Sequence, residues 1–339
     1  MQQRESPEQF CAFCGFEIPT APVESTDGRT CCSDRCREAS AADEQPHAGR
    51  FGFKQFYPGV AALDALLPWG MPANSFVLLA GHEGIRHRGL QTELVWRALR
   101  RGERAIMISY VDPPVAVADH FLTFGWNVLP YLEAGDLHII DCFSNRLREE
   151  HQSPSHQIPW NDHLDGFLED AVSTISDTTN LRSVENSLHE TLRDQEMIGS
   201  GLVVIDSLNE IELQSHEHGT EQFIKEIRAD VCNRNFVPIF ASTTLSEHED
   251  FARGHAYLFD GIVDMQREES IIPGSRIKEL SVRKMDGVRY RPEWAAYENA
   301  GHGFELYDPH TDFEMMYPTA PGRPMPSRCR SPELDGEDP

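Results

Sequence analysis

Two groups of residues in this 339-residue chain have the types and spacing for chemistry. The first lies near the N-terminus. Five of the eight cysteines fall within the first 36 residues, as Cys11-Ala12-Phe13-Cys14-Gly15 and Cys31-Cys32-Ser33-Asp34-Arg35-Cys36. A C-x2-C knuckle followed by C-x3-C at the start of a short helical stretch, 33–41, suits tetrahedral Zn²⁺ held by thiolates. The candidate ligands are Cys11, Cys14, Cys32 and Cys36, with Cys31, one residue out of register, as the alternative to Cys32. Four thiolates leave no open coordination position, so the expected role is recognition, not catalysis. A disulfide is the competing reading, disfavoured in a reducing cytoplasm. So few residues can hardly bury a core without a metal. Of the scattered Cys142, Cys232 and Cys329, the first two read as small core residues.

The second group is the stretch Gly81-His82-Glu83-Gly84-Ile85-Arg86-His87-Arg88. It follows an apolar run, Phe76 to Ala80, and opens a helical segment in which Leu90, Leu94 and Ala98, flanked by Val95 and Leu99, recur at helix spacing. A phosphate-binding loop in that position reads G-x-x-x-x-G-K-[ST], where glycines admit backbone N–H groups to the phosphates, Lys neutralises them and the hydroxyl holds Mg²⁺. Counted from Gly81, the second Gly, the Lys and the hydroxyl fall on Arg86, His87 and Arg88. Gly81, Gly84 and the helix N-terminus keep the frame of an anion site, and Arg86 and Arg88 carry charge toward it or fill the phosphate space. Another run, Gly201 to Ile205, ends in Asp206, either a carboxylate presented toward Mg²⁺ or a hydrogen-bonded cap for the next turn.

The elements that must hold these residues read as α/β. Apolar runs at 76–80, 105–109, 201–205, 237–243 and 261–265 alternate with helical segments, which predicts βαβ units and a mainly parallel central sheet. Leu181, Val184, Leu188 and Leu192 supply the apolar face of the helix before the Asp206 strand. The stretch 145–165 shows no clean periodicity, and its His151, His156 and His163 read as solvated loop histidines. No internal repeat is present.

An ordered set of motifs runs through this frame: Tyr57-Pro58-Gly59-Val60 with Leu63-Asp64 and Leu66-Leu67, Met71-Pro72, Ser109 to Pro114, Phe124-Gly125-Trp126, Asp206-Ser207-Leu208, and Lys284-Met285-Asp286-Gly287. The chain resembles the RecA superfamily of P-loop NTPases and, within it, the KaiC-like ATPases of archaea, over roughly 51–310. The cysteine segment looks like a treble-clef or TRASH-type zinc module. The resemblance implies a RecA-like fold, ATP at the loop, and a neighbour's Arg reaching over the nucleotide. Three departures stand against ATP hydrolysis: the loop lacks its Lys and hydroxyl, Val111 and Asp112 replace the family's Glu pair, and Asp286 replaces the trans-acting Arg. Hydrolysis needs a positioned water, Mg²⁺ and charge neutralisation together.

Composition bounds the rest. The formal charge is -25, and the 30 basic residues include only four lysines, Lys54, Lys225, Lys278 and Lys284. A Lys-poor acidic surface suits molar salt, where carboxylate repulsion is screened, so a haloarchaeal source is expected. The charge disfavours nucleic acid, because a binder needs a basic stripe. The candidates, Arg97-Arg100-Arg101-Arg104 and Arg283 with Arg289 and Arg291, include a group better explained by a helix C-terminus. No run of 18 apolar residues and no signal pattern occur, so a soluble cytoplasmic chain away from membranes is expected. The expected organisation is a zinc module (1–40), a polar linker (41–50), the RecA/KaiC-like domain (51–310) and a Pro-rich, acidic, disordered tail (311–339). The expected function is regulatory or scaffolding, a pseudo-ATPase acting through protein partners, either itself or a KaiC/RecA-like relative. The alternatives are an ATPase with an unorthodox loop and a DNA-binding recombinase accessory protein.

Overall fold

The computed structural model describes residues 55–306 apart from 83–84, 86, 147–158, 246–253, 270–275 and 301–302, and near the N-terminus residues 11, 18, 22–24, 28–31 and 33–41. The remaining cysteine ligands of the zinc assignment, Cys14 and Cys32, the loop residues Gly84 and Arg86, His151, His156 and the tail lie outside the described residues, as does most of the linker.

The N-terminal piece is a two-residue ladder, β1 (Val23–Glu24) with β2 (Thr30–Cys31), running antiparallel, followed by α1 (Asp34–Ala41). Next come β3 (Gln55–Phe56), α2 (Ala61–Leu66) and β4 (Met71–Pro72), which pairs with β3. The main sheet then begins with β5 (Phe76–His82), α3 (Arg88–Arg100) and β6 (Ala105–Ser109). It continues through α4 (Pro114–Thr123), α5 (Leu129–Glu133), β7 (Leu137–Asp141), α6 (Pro159–Leu168) and β8 (Val172–Thr174). After α7 (Leu181–Asp194) come β9 (Leu202–Ile205), α8 (Leu208–Ile227), a π-helical turn at Arg228–Arg234 and β10 (Ile239–Leu245). The last strands are β11 (Gly261–Glu269), β12 (Arg276–Met285), β13 (Ala295–Ala300) and β14 (Gly303–Leu306).

These build a ten-stranded sheet in the order β14-β13-β12-β11-β5-β10-β9-β6-β7-β8. From β11 to β8 every pairing is parallel, while β12, β13 and β14 extend one edge antiparallel. Phe76–Ala80 of β5, Ala105–Ile108 of β6 and Leu202–Ile205 of β9 are apolar without interruption because both faces are covered. Along β5, Val77 and Leu79 join the core under α3, whereas Phe76, Leu78 and Ala80 join the core under α7 and α8. The same alternation places Met107 and Val204 in the first core and Ile108 and Ile205 in the second. Leu90, Leu94, Val95, Ala98 and Leu99 of α3 are buried in the first, and the expected α7 face, Leu181, Val184, Leu188 and Leu192, in the second.

Three expectations are corrected. The stretch 145–165 is not irregular throughout: Pro159 opens α6, and Leu164 and Leu168, four residues apart, are buried on one face of the helix. His163 is therefore no loop residue, since its ring packs against Trp160 and Phe167 at helical spacing, 5.7 and 5.3 Å between centroids. The strand count was also low. Beyond the five expected runs the sheet holds β7, β8 and the antiparallel edge: β7 and β8 are short and interrupted by His138, Ser173 and Thr174, and β12 to β14 carry charged residues on a half-exposed surface.

Candidate functional site

The C-terminal ends of β5, β10, β9 and β6 face the N-terminus of α3 across an open cleft of about 310 Å³, lined by Ile85, His87, Arg88, Gln91, Val111, Asp206, Ser207, Ser242 and Thr244. A crevice at the carboxyl ends of parallel strands is the usual ligand position of an open α/β sheet. The structure thus gathers His87, Arg88 and Asp206 where the sequence placed them, with Gly81 at the end of β5.

His87, in the Lys position, is 6 % exposed, and its Nε2 has no hydrogen-bond partner among the described residues. The ring lies against Gly81 so closely that a Cβ there would overlap it. Burial pushes its pKa down to about 4, so at neutral pH the imidazole is uncharged and neutralises nothing.

Arg88, in the hydroxyl position, points sideways. Its guanidinium pairs with Asp112, and Nη1 lies 3.2 Å from His120 Nε2. Asp112 follows the end of β6, so the loop before α3 and the end of β6 neutralise one another. The sequence marked both as departures but gave no sign that they meet, since 24 positions separate them.

Asp206 is partly buried and engaged by three donors. It accepts hydrogen bonds from the Ser109 hydroxyl (3.0 Å) and from the backbone N–H groups of Tyr110 (2.8 Å) and Val111 (3.2 Å). Burial pushes its pKa up to about 6 despite those donors, and nearby Asp112 adds to the rise. The residue clasps the end of β6 to the end of β9. Beside it Ser207 caps α8, accepting from Glu210 N–H at 3.3 Å, an S-x-x-E start legible in the sequence. Gln91 reaches across from α3 and donates to the Ile205 carbonyl at 2.8 Å.

Asp286 lies elsewhere. It follows β12 at the end of the sheet opposite the cleft, beside Lys284 at 3.1 Å. It can therefore face such a cleft only on another molecule.

The profile described as "ATPase: KaiC" matches residues 57–310. The chain belongs to the KaiC ATPase family. A UPF0273 protein of Pyrococcus horikoshii is 23 % identical over 250 residues, 74 % of this chain and 92 % of that protein. Another, from Thermotoga maritima, is 23 % identical over 255 residues, 75 % and 96 % of the two chains. Among solved structures, a KaiC-like protein of Pyrococcus horikoshii superposes with a TM-score of 0.57 at 15 % identity, covering 76 % of this chain and all of the other. The cleft lined by His87, Arg88 and Asp206 lies within the residues that the family profile matches.

Of the cysteine group, Cys11 and Cys31 are buried and Cys36 lies on the first turn of α1, where Ser33 Oγ accepts from its backbone N–H at 3.2 Å. Among the described residues no group of three or more His, Cys, Asp or Glu is arranged around a metal. Two of the four assigned ligands lie outside those residues. Cys142 and Cys232 are core residues, as expected. Among the described residues no helix is long and apolar enough to cross a membrane.

Proposed function

We propose that this KaiC-family chain works without hydrolysing ATP, as a regulatory or scaffolding protein acting through protein contacts. The observation that carries the reading is the Arg88–Asp112 pair beside a neutral His87, which ties the Arg88 charge inside the fold. Phosphoryl transfer requires positive charge aimed at the phosphates and a carboxylate free for Mg²⁺, and Asp206 already holds three donors. The same geometry argues against an unorthodox ATPase in which Arg88 replaces Lys. Nucleic acid is disfavoured because basic residues of the candidate stripe have acidic partners, Arg97 with Glu93, Arg101 with Glu103 and Arg104 with Asp136. We assign Cys11, Cys14, Cys32 and Cys36, or Cys31 for Cys32, to a structural zinc site on the recognition module. A soft four-thiolate set beside a capped short helix supports that chemistry. Partners of the same fold, self or relative, could meet the cleft through Asp286.

Phosphate release from ATP in molar KCl with Mg²⁺ tests the reading: turnover above background that Asp206→Asn abolishes would refute it. Elemental analysis of the full chain and of a Cys11→Ser/Cys14→Ser variant tests the zinc, with one Zn²⁺ expected in the first and none in the second. Light scattering with and without ATP tests association that needs no nucleotide.

A further inference from the structure

Outside the cleft lining stand three exposed aromatic residues that the proposed function does not use. Tyr57, Trp69 and Trp294 are 49 %, 50 % and 43 % exposed. The Tyr57 ring lies beside Gly70, 3.2 Å from where a Cβ would stand, which puts it next to Trp69. The backbone N–H of Arg291 donates to Leu66 O at 2.9 Å and brings the segment before Trp294 to the end of α2, three residues before Trp69. Arg289 and Arg291 on that segment are exposed, and among the described residues neither forms an ion pair. Two Trp, a Tyr and two Arg without an ion pair among the described residues are unusual on a chain of charge -25.

The chain supplies an occupant. β14 runs antiparallel to β13, with Leu306 opposite Tyr297, so it delivers the chain toward the end where Trp294 precedes β13. Trp294 is three residues from Tyr297, about 10 Å at strand spacing. Beyond Leu306 the sequence continues to Pro339, reaching past residue 310 where the family match stops. Within it stand Pro318, Pro321 and Pro324, a P-x-x-P-x-x-P run. A polyproline II helix has three residues per turn, so these prolines would share one face. Exposed Trp and Tyr rings are the surface that recognises such a face. The acidic end, Glu333, Asp335, Glu337 and Asp338, carries the sign opposite to Arg289 and Arg291. Tethering supplies an effective concentration near the millimolar range, so weak contacts suffice.

We propose that residues 315–338 dock on this surface within the same chain, the proline run against Tyr57, Trp69 and Trp294 and the acidic end against Arg289 and Arg291. The test uses the full chain with Thr319 replaced by the photo-reactive p-benzoylphenylalanine, irradiated in molar KCl, with adducts mapped by mass spectrometry. Adducts within 55–70 or 289–294 of the same chain are expected. A Pro318→Ala/Pro321→Ala/Pro324→Ala variant, which alters no residue of the described fold, should lower their yield by about tenfold. Scattered adducts, adducts only to a second chain, or a yield indifferent to the prolines would overturn the proposal.

Discussion

Asp206→Asn separates a structural clasp from a metal-binding carboxylate. The folded chain holds the Asp206 pKa near 6 against 3.8 for the unconstrained group. At about 1.4 kcal/mol per unit, keeping it ionised above pH 6 costs on the order of 3 kcal/mol relative to the protonated form. Because the folded state binds the proton more tightly, this group's contribution to stability is greatest below pH 4 and is lost as pH rises from 4 to 6. Asn carries no such term but leaves one donor of the clasp, Tyr110 N–H or Val111 N–H, without an acceptor, at about 1–3 kcal/mol. The variant should therefore be less stable than the parent near pH 4.5 by about 1–3 kcal/mol and roughly level with it near pH 7.5. Urea denaturation of both proteins in molar KCl across that range measures the difference. A gap that stays constant, or widens as pH rises, would refute the clasp and place Asp206 in a positive field suited to Mg²⁺.

Three further outcomes are expected. In a double-mutant cycle, Arg88→Ala and Asp112→Ala should couple by about 0.5–1 kcal/mol, since Arg88 is a third exposed and the pair partly screened, and the coupling should shrink with salt. Ser207→Ala should destabilise the chain by about 1 kcal/mol through the lost α8 cap, read from the urea midpoint with an unchanged slope. Melting temperature should fall as KCl is removed, because the Debye length grows from about 3 Å at 1 M to about 30 Å at 0.01 M and the charge of -25 is no longer screened; a flat or rising melting temperature would contradict the halophilic reading.

The central strands and α3 were legible in the sequence because burial on both faces imposes continuous apolar runs and a helix stripe. The positions of His87, Arg88 and Asp206 followed from their places at strand and helix ends. What they do there did not. Whether Arg88 faces a phosphate or Asp112 depends on a side-chain direction fixed by tertiary packing, and the His87 charge depends on a burial no local pattern encodes. The edge strands β12 to β14 were opaque for the opposite reason. Their residues alternate weakly and take strand form by pairing outward from β11, an influence transmitted through backbone hydrogen bonds.

The Arg88–Asp112 pair also bears on how the chain can change. Threonine at 88 alone would leave Asp112 half-buried without its cation, and lysine at 87 alone would force an ammonium into a space shaped around an uncharged ring. Each of these single substitutions is thus penalised in the folded state. Positions 87, 88 and 112 are held as a set, so the cleft tolerates coordinated changes there better than isolated ones.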